Sequence, residues 1–200
     1  MRTILLAAFL ALSVATGGCS SPPPTATPAP VRVGIETARG TIAVELDAAR
    51  APATVANFLR YVDAGLYDGG RFHRTVRPDN QAADAVRIDV VQGGPDPSAA
   101  ARAFPPIELE RTKRTGLRHA DGTLSMARAD PDSATADFFV CIGDQPELDF
   151  GGRRNPDGQG FAAFGRVVGG MEVVREIHDA PASGQRLDPP VAIVRVRRLP

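Results

Sequence analysis

Two short stretches hold residue types that could act on a neutral polar substrate. Phe72, His73 and Arg74 stand together, and Val90-Val91-Gln92-Gly93-Gly94 follows later in the chain. A guanidinium is permanently charged and carries five donors in a rigid fork. It can orient and polarise an oxygen, but it does not shuttle protons. An amide such as that of Gln92 can both donate and accept. Apolar neighbours on both stretches suit a shallow pocket for a substrate with a carbonyl to grip. The chemistry indicated is electrostatic rather than acid–base. Taken alone, residues 72–74 read as an edge strand with an exposed arginine; the rest of the chain decides between the two.

Composition narrows the classes. The 200 residues carry 23 basic and 23 acidic side chains, so no strong basic field exists for nucleic acid or an anionic lipid surface. Lys113 is the sole lysine, so an isolated arginine says little by itself. Cys19 and Cys141 are too few for a disulfide framework or a zinc site. His73, His119 and His178 have no metal-ligand spacing. Neither a metal nor another cofactor is expected.

Residues 1–19 read as an export signal. Arg2 precedes an apolar run over residues 4–15, interrupted by Ser13. About a dozen residues is too short to span a ~30 Å hydrocarbon core but fits a signal h-region. Thr16-Gly17-Gly18-Cys19 then resembles a bacterial lipobox, with Thr16 where Leu is usual. Lipidation of Cys19 would make the protein an exported, membrane-anchored lipoprotein of the bacterial cell envelope. It would face the periplasm or the exterior. Residues 20–30 hold five prolines among Ser, Thr and Ala. Such a segment cannot build a core and stiffens toward polyproline II, reaching roughly 30 Å. It is expected to be a tether to a domain over residues 31–200.

The elements that must position Arg74 and Gln92 are mostly strands. Residues 31–37 and 41–46 alternate on either side of Ala38-Arg39-Gly40, a hairpin signal. Pro52 opens a helix whose Val55, Phe58, Leu59 and Val62 share one face, with Gly65 as its stop. Strands are expected over residues 71–76, 88–92, 122–127, 138–142, 161–168 and 191–199, and a short one at 107–109. Residues 77–87 read as a polar loop. A second short helix carries Met171, Val173, Val174 and Ile177. Many short strands with two helices point to a closed or nearly closed β-barrel.

The order of these pieces resembles the cyclophilin-type peptidyl-prolyl cis-trans isomerases. The likeness runs from about Val31 to Leu199. It includes Gly40-Thr41-Ile42, Ala51-Pro52, Asn57-Phe58, Phe72-His73-Arg74 and Gln92-Gly93-Gly94. It continues through residues 122–127, Phe138-Phe139, Leu148-Asp149 and Phe164-Gly165. The resemblance implies a mainly β fold, an eight-stranded antiparallel barrel capped by two helices, with a groove on its outside.

It further implies that Arg74 is catalytic and that Phe72, His73, Val90, Gln92, Phe139, Leu148 and Phe161 bind substrate. Phe139 and Leu148 would form a proline pocket, while Ala127 and Arg128 would pair with the peptide backbone. Arg128 stands where the family usually has Asn, and Phe161 where many members have His. Asp89 falls at a usual Phe, Val90 at a usual Met, Asp137 at a usual Gln beside the pocket, and Glu147 at a usual rim aromatic. Insertions near residues 77–87 and 150–160 lengthen loops beside the groove.

The implied function is isomerisation of Xaa-Pro bonds in exported proteins, assisting their folding. Its partners would be proline-containing polypeptides, with membrane contact through the lipid at Cys19, no nucleic acid, and a monomeric chain. Asp137 could reach Arg74 as an ion pair that orients the guanidinium while partly neutralising it. An alternative is a chaperone or scaffold that holds proline segments with little turnover. A hydrolase using His73 and a serine is disfavoured, since no Gly-x-Ser-x-Gly elbow is present.

Overall fold

A computed structural model describes residues 30–200. Residues 1–29, including Cys19 and most of the proline-rich segment, lie outside the described residues. The chain runs β1 (Val31–Thr37), β2 (Gly40–Leu46), α1 (Pro52–Asp63), β3 (Arg71–Val76) and β4 (Val90–Gly94). It continues with α2 (Thr112–Thr115), β5 (Thr123–Met126), β6 (Phe138–Cys141) and β7 (Ala162–Gly169). Then come α3 (Met171–His178), β8 (Ala182–Ser183) and β9 (Arg186–Arg198). Short 3-10 turns lie at Pro97–Arg102 and Pro146–Leu148.

The strands hydrogen-bond in the order β1-β2-β7-β5-β6-β4-β3-β9, and β1 pairs back onto β9 to close the ring. Every pairing is antiparallel. The result is a closed eight-stranded barrel, with β8 folding back on β9 as a small appended hairpin. Closure removes the free edges that an open sheet would expose.

Phe58, Tyr61, Tyr67, Phe72, Phe138 and Phe164 are all essentially inaccessible. Phe138 meets Phe58, Tyr67 and Phe72 edge to face, with ring centroids 5.7–5.8 Å apart. The Tyr67 hydroxyl donates to the Ala136 carbonyl at 2.6 Å, which satisfies its one buried polar atom. Burial pushes the pKa of that hydroxyl up. Cys141 is buried as well, and burial pushes its thiol up, so it is a core residue rather than a nucleophile.

α1 starts at Pro52 as expected, and Val55, Phe58, Leu59 and Val62 are buried. Ala51 at its N-cap offers no side chain to the free N–H groups. Glu110 supplies the cap from far along the chain. Its buried carboxylate accepts from Ala53 N (3.2 Å), Thr54 N (2.8 Å) and Thr54 Oγ1 (2.6 Å).

Three strand assignments differ substantially from the sequence reading, the first being β9, which begins at Arg186 rather than at residue 191. β4 begins at Val90, not at residue 88, because the Asp89 N–H turns away to donate to Gln145 Oε1 at 3.0 Å, leaving only the Asp89 carbonyl to accept from the Ile142 N–H at 2.9 Å. Residues 107–109 form no strand, only a bridge between Ile107 and Ala134. The hydrophobic pattern there is too short to recruit a second pairing partner.

Phe138 ties three rings on α1, β3 and the α1–β3 connection into one cluster. Phe138→Ala should lower stability by about 3–5 kcal/mol, read as a shift of the urea unfolding midpoint at unchanged slope.

Candidate active site

A cleft of about 400 Å³ opens on the outer wall of the barrel beside β3, β4, β5 and β6. Alternation along β4 sends Val90 and Gln92 to this cleft and Val91 to the core, and Ile88, just before the strand, also lines the cleft. Val90, Phe139, Leu148 and Phe161 belong to a second apolar cluster, separate from the barrel core, together with Val76, Ile88 and Cys141. Phe139 and Phe161 meet edge to face at 5.4 Å. His119 stacks behind Phe139 at 6.0 Å.

Arg74 lies at one end of the apolar floor. Its Nη1 donates to Gln92 Oε1 at 3.0 Å, and its Nε and Nη2 both donate to Gln185 Oε1, at 3.0 and 2.6 Å. Three of five N–H groups are thus spent on two neutral amides, and among the described residues no carboxylate pairs with the guanidinium. Burial, and then the nearby charge of Arg154, push its pKa down, though an arginine remains protonated. The remaining N–H groups are available to a ligand.

Asp137 does not pair with Arg74. Its Oδ2 accepts from Gln92 Nε2 at 3.1 Å and lies 3.5 Å from His73 Nε2. A carboxylate can only accept, so it holds the Gln92 NH2 group and thereby turns the Gln92 oxygen toward Arg74. In place of the ion pair that Asp137 could have formed, a relay through Gln92 orients the arginine without neutralising it.

The cleft brings together Arg74, Val90, Gln92, Ala127, Arg128, Asp137, Phe139, Leu148 and Phe161. Phe72 is a correction: it is fully buried in the barrel core, beyond reach of any ligand. A β-bulge between Phe72 and Arg74 breaks simple alternation, so one residue points inward while its neighbours reach the surface. His73 opens instead onto an adjoining hollow that shares Thr135 and Asp137 with the cleft.

The Ala127 N–H is taken by the Asp137 carbonyl at 2.8 Å. The Arg128 side chain is almost fully enclosed. It donates to Asp157 at 2.8 and 2.9 Å and to the Gly160 carbonyl at 2.8 Å, and it lies over the Phe161 ring at 5.1 Å. It clamps the 150–160 loop to the cleft wall.

The other acidic departures point elsewhere. Asp89 Oδ1 lies 2.6 Å from His178 Nε2, a contact off hydrogen-bond alignment, and burial pushes its carboxyl up. Glu147 pairs with Arg153 at 2.8 Å. His119 links Asp149 Oδ1 (2.8 Å) to Ser125 Oγ (2.9 Å). This has the connectivity of a hydrolytic triad, yet Ser125 is wholly buried and no substrate can approach it. Sequence reasoning missed Gln185, which arrives from the β8–β9 turn, and also Ile88, Ser133, Thr135, Arg154 and Asn155. Nothing local marks them; folding alone brings Gln185 against Arg74 and the others to the cleft wall.

A family model described as "Cyclophilin type peptidyl-prolyl cis-trans isomerase/CLD" matches residues 32–198. A peptidyl-prolyl cis-trans isomerase of Streptomyces antibioticus is 38% identical over 158 residues, covering 77% of this chain and 87% of that protein. Peptidyl-prolyl cis-trans isomerase B of Escherichia coli is 35% identical over 162 residues, covering 79% and 92%. The fold is similar to a crystal structure of a Cryptosporidium parvum cyclophilin obtained in the presence of the dipeptide Ala-Pro. The TM-score is 0.68 at 21% identity, with 84% of this chain and 99% of that chain covered.

The relay gives a checkable consequence. Asp137→Ala should free the Gln92 amide, costing about 1 kcal/mol and shifting its side-chain NH2 signals in 15N NMR spectra. Asp137→Asn, whose amide oxygen can accept the same bond, should retain the wild-type signals. Identical spectra in all three proteins would remove the relay.

Proposed function

The chain belongs to the cyclophilin-type peptidyl-prolyl cis-trans isomerases, and from that premise we propose that it turns over Xaa-Pro bonds of exported proteins at the Arg74 cleft. The observation that carries the reading is the state of Arg74: a half-buried cation held by two neutral amides at the end of an apolar floor.

Rotation about a peptide C–N bond faces a barrier of roughly 18–20 kcal/mol because resonance gives it double-bond character. At the twisted transition state that resonance is lost, and the prolyl nitrogen becomes pyramidal and basic. A fixed donor aimed at that nitrogen, or at the proline's own carbonyl, favours the twisted form over either planar one. Val90, Phe139, Leu148 and Phe161 would receive the pyrrolidine ring and exclude water, which strengthens the field of Arg74. The backbone beside Ala127 and Arg128 would hold the extended peptide. No proton is transferred.

The site of action rests on residues 1–30. The short apolar run, the lipobox-like Thr16-Gly17-Gly18-Cys19 and the proline-rich tether support an exported lipoprotein whose monomeric domain acts at a membrane surface of the cell envelope.

Two measurements test these proposals. Arg74→Ala should reduce kcat/KM for isomerisation of a proline peptide by about a hundredfold or more, with the peptide still bound. Equal slow rates for both proteins would leave only a binder of proline segments. In cells fed an alkyne fatty acid, the wild type should take up label and Cys19→Ala should not; an unlabelled wild type would remove the anchor.

A further inference from the structure

The two loops that depart most from the family pattern meet at one side chain. Arg154, on the 150–160 loop, donates through Nη1 to Gln81 Oε1 at 3.1 Å and to the Val86 carbonyl at 2.7 Å, both on the 77–89 loop. Each loop is independently fastened. Gln81 bonds Ile88 in both directions, at 2.8 and 3.2 Å, and Arg77 donates to the His178 and Ala180 carbonyls. On the other side, Arg128 clamps Asp157, and Arg153 pairs with Glu147. Arg154 is therefore held in place on the wall of the Arg74 cleft.

The charges around the cleft are not balanced. Arg74, Arg128 and Arg154 line it, against a single carboxylate, Asp137. Arg128 is neutralised by Asp157, and Asp137 is engaged with Gln92 and His73. Among the described residues, neither Arg74 nor Arg154 has a carboxylate partner. The half-burial of Arg154 works against its charge and lowers its pKa, while its field lowers that of Arg74. Its two loop contacts use Nη1 alone; Nε and Nη2 make no hydrogen bond among the described residues. That Nε–Nη2 edge is the parallel pair of donors that grips a carboxylate bidentately. Asn155 lines the same cleft, and its side-chain nitrogen also lacks an acceptor among the described residues.

We propose that Arg154 is a specificity residue. Its free edge receives the carboxylate of an Asp or Glu next to the isomerised bond, so acidic Xaa-Pro and Pro-Xaa segments are preferred substrates. The proposal rests on the isomerase reading for turnover but not for binding. A staple that merely joined two loops would not discriminate between peptides of different charge.

The test compares proline peptides that differ at one position, with Glu, Gln or Lys placed before and then after the proline, on the full chain. For at least one of these positions, the wild type should show kcat/KM about tenfold higher for Glu than for Gln, and lower for Lys than for Gln. Added salt should shrink the ratio. Arg154→Gln should bring the Glu-to-Gln ratio within about twofold of one, and Arg154→Lys should retain part of it. Kd values for the same peptides, by titration calorimetry, should show the same order even where turnover is absent. Loss of turnover with that order intact would overturn the isomerase reading and leave the anion site. Equal Glu and Gln values in the wild type, or an undiminished ratio in Arg154→Gln, would overturn the proposal. The wild-type comparison decides the matter even if a variant fails to fold.

Discussion

The proposed site depends on one constraint: a guanidinium must be fixed and partly desolvated without being neutralised. A carboxylate partner would fix Arg74 most strongly but would absorb the field that the proposed reaction at this cleft needs. Two glutamine oxygens fix it instead, at 2.6–3.0 Å, and leave its charge intact. Much of the surrounding architecture serves those two amides. Gln92 is carried by a central barrel strand and turned by Asp137. Gln185 is carried by the β8–β9 turn, where its backbone carbonyl also accepts from the Thr75 N–H at 2.8 Å.

The closed barrel meets that constraint because it is stiff where the site needs it. Arg74, Gln92 and Phe139 lie on neighbouring strands β3, β4 and β6, whose ladders fix their spacing. The floor of the cleft is a separate apolar cluster on the outside of the sheet, so the same strands serve a core on one face and the candidate cleft on the other. The acidic residues that look anomalous in the chain are absorbed into this plan. Asp137 orients Gln92, Asp89 turns to His178, and Glu147 ties down Arg153. None of them neutralises Arg74.

The legible features were those carried by local period and turn chemistry. The β1–β2 hairpin, α1 behind Pro52, β3 and the buried runs of β5, β6 and β7 follow from alternation, a helical stripe and glycine punctuation. The start of β4 was misjudged because the Asp89 N–H and side chain turn to Gln145 and His178, two residues remote in sequence. The α1 cap was invisible for the same reason, since Glu110 has no local signature as a capping residue. Phe72 was placed in the groove because it adjoins Arg74; the bulge after it sends it into the core instead.

By itself, then, the sequence determined the residue types and the order of the strands. Through its resemblance to the cyclophilin family, carried by motifs in order along the whole domain, it implied that Arg74, Gln92, Phe139 and Leu148 are parts of a groove. What only the tertiary structure decided is which groups meet across the chain: Gln185 against Arg74, Asp137 against Gln92, Arg128 against Asp157, and Arg154 against the 77–89 loop. Polar contacts between distant loops leave no periodic trace. Their partners are chosen by where the closed barrel sets the loop ends, and hydrogen bonding then selects among the side chains that arrive there.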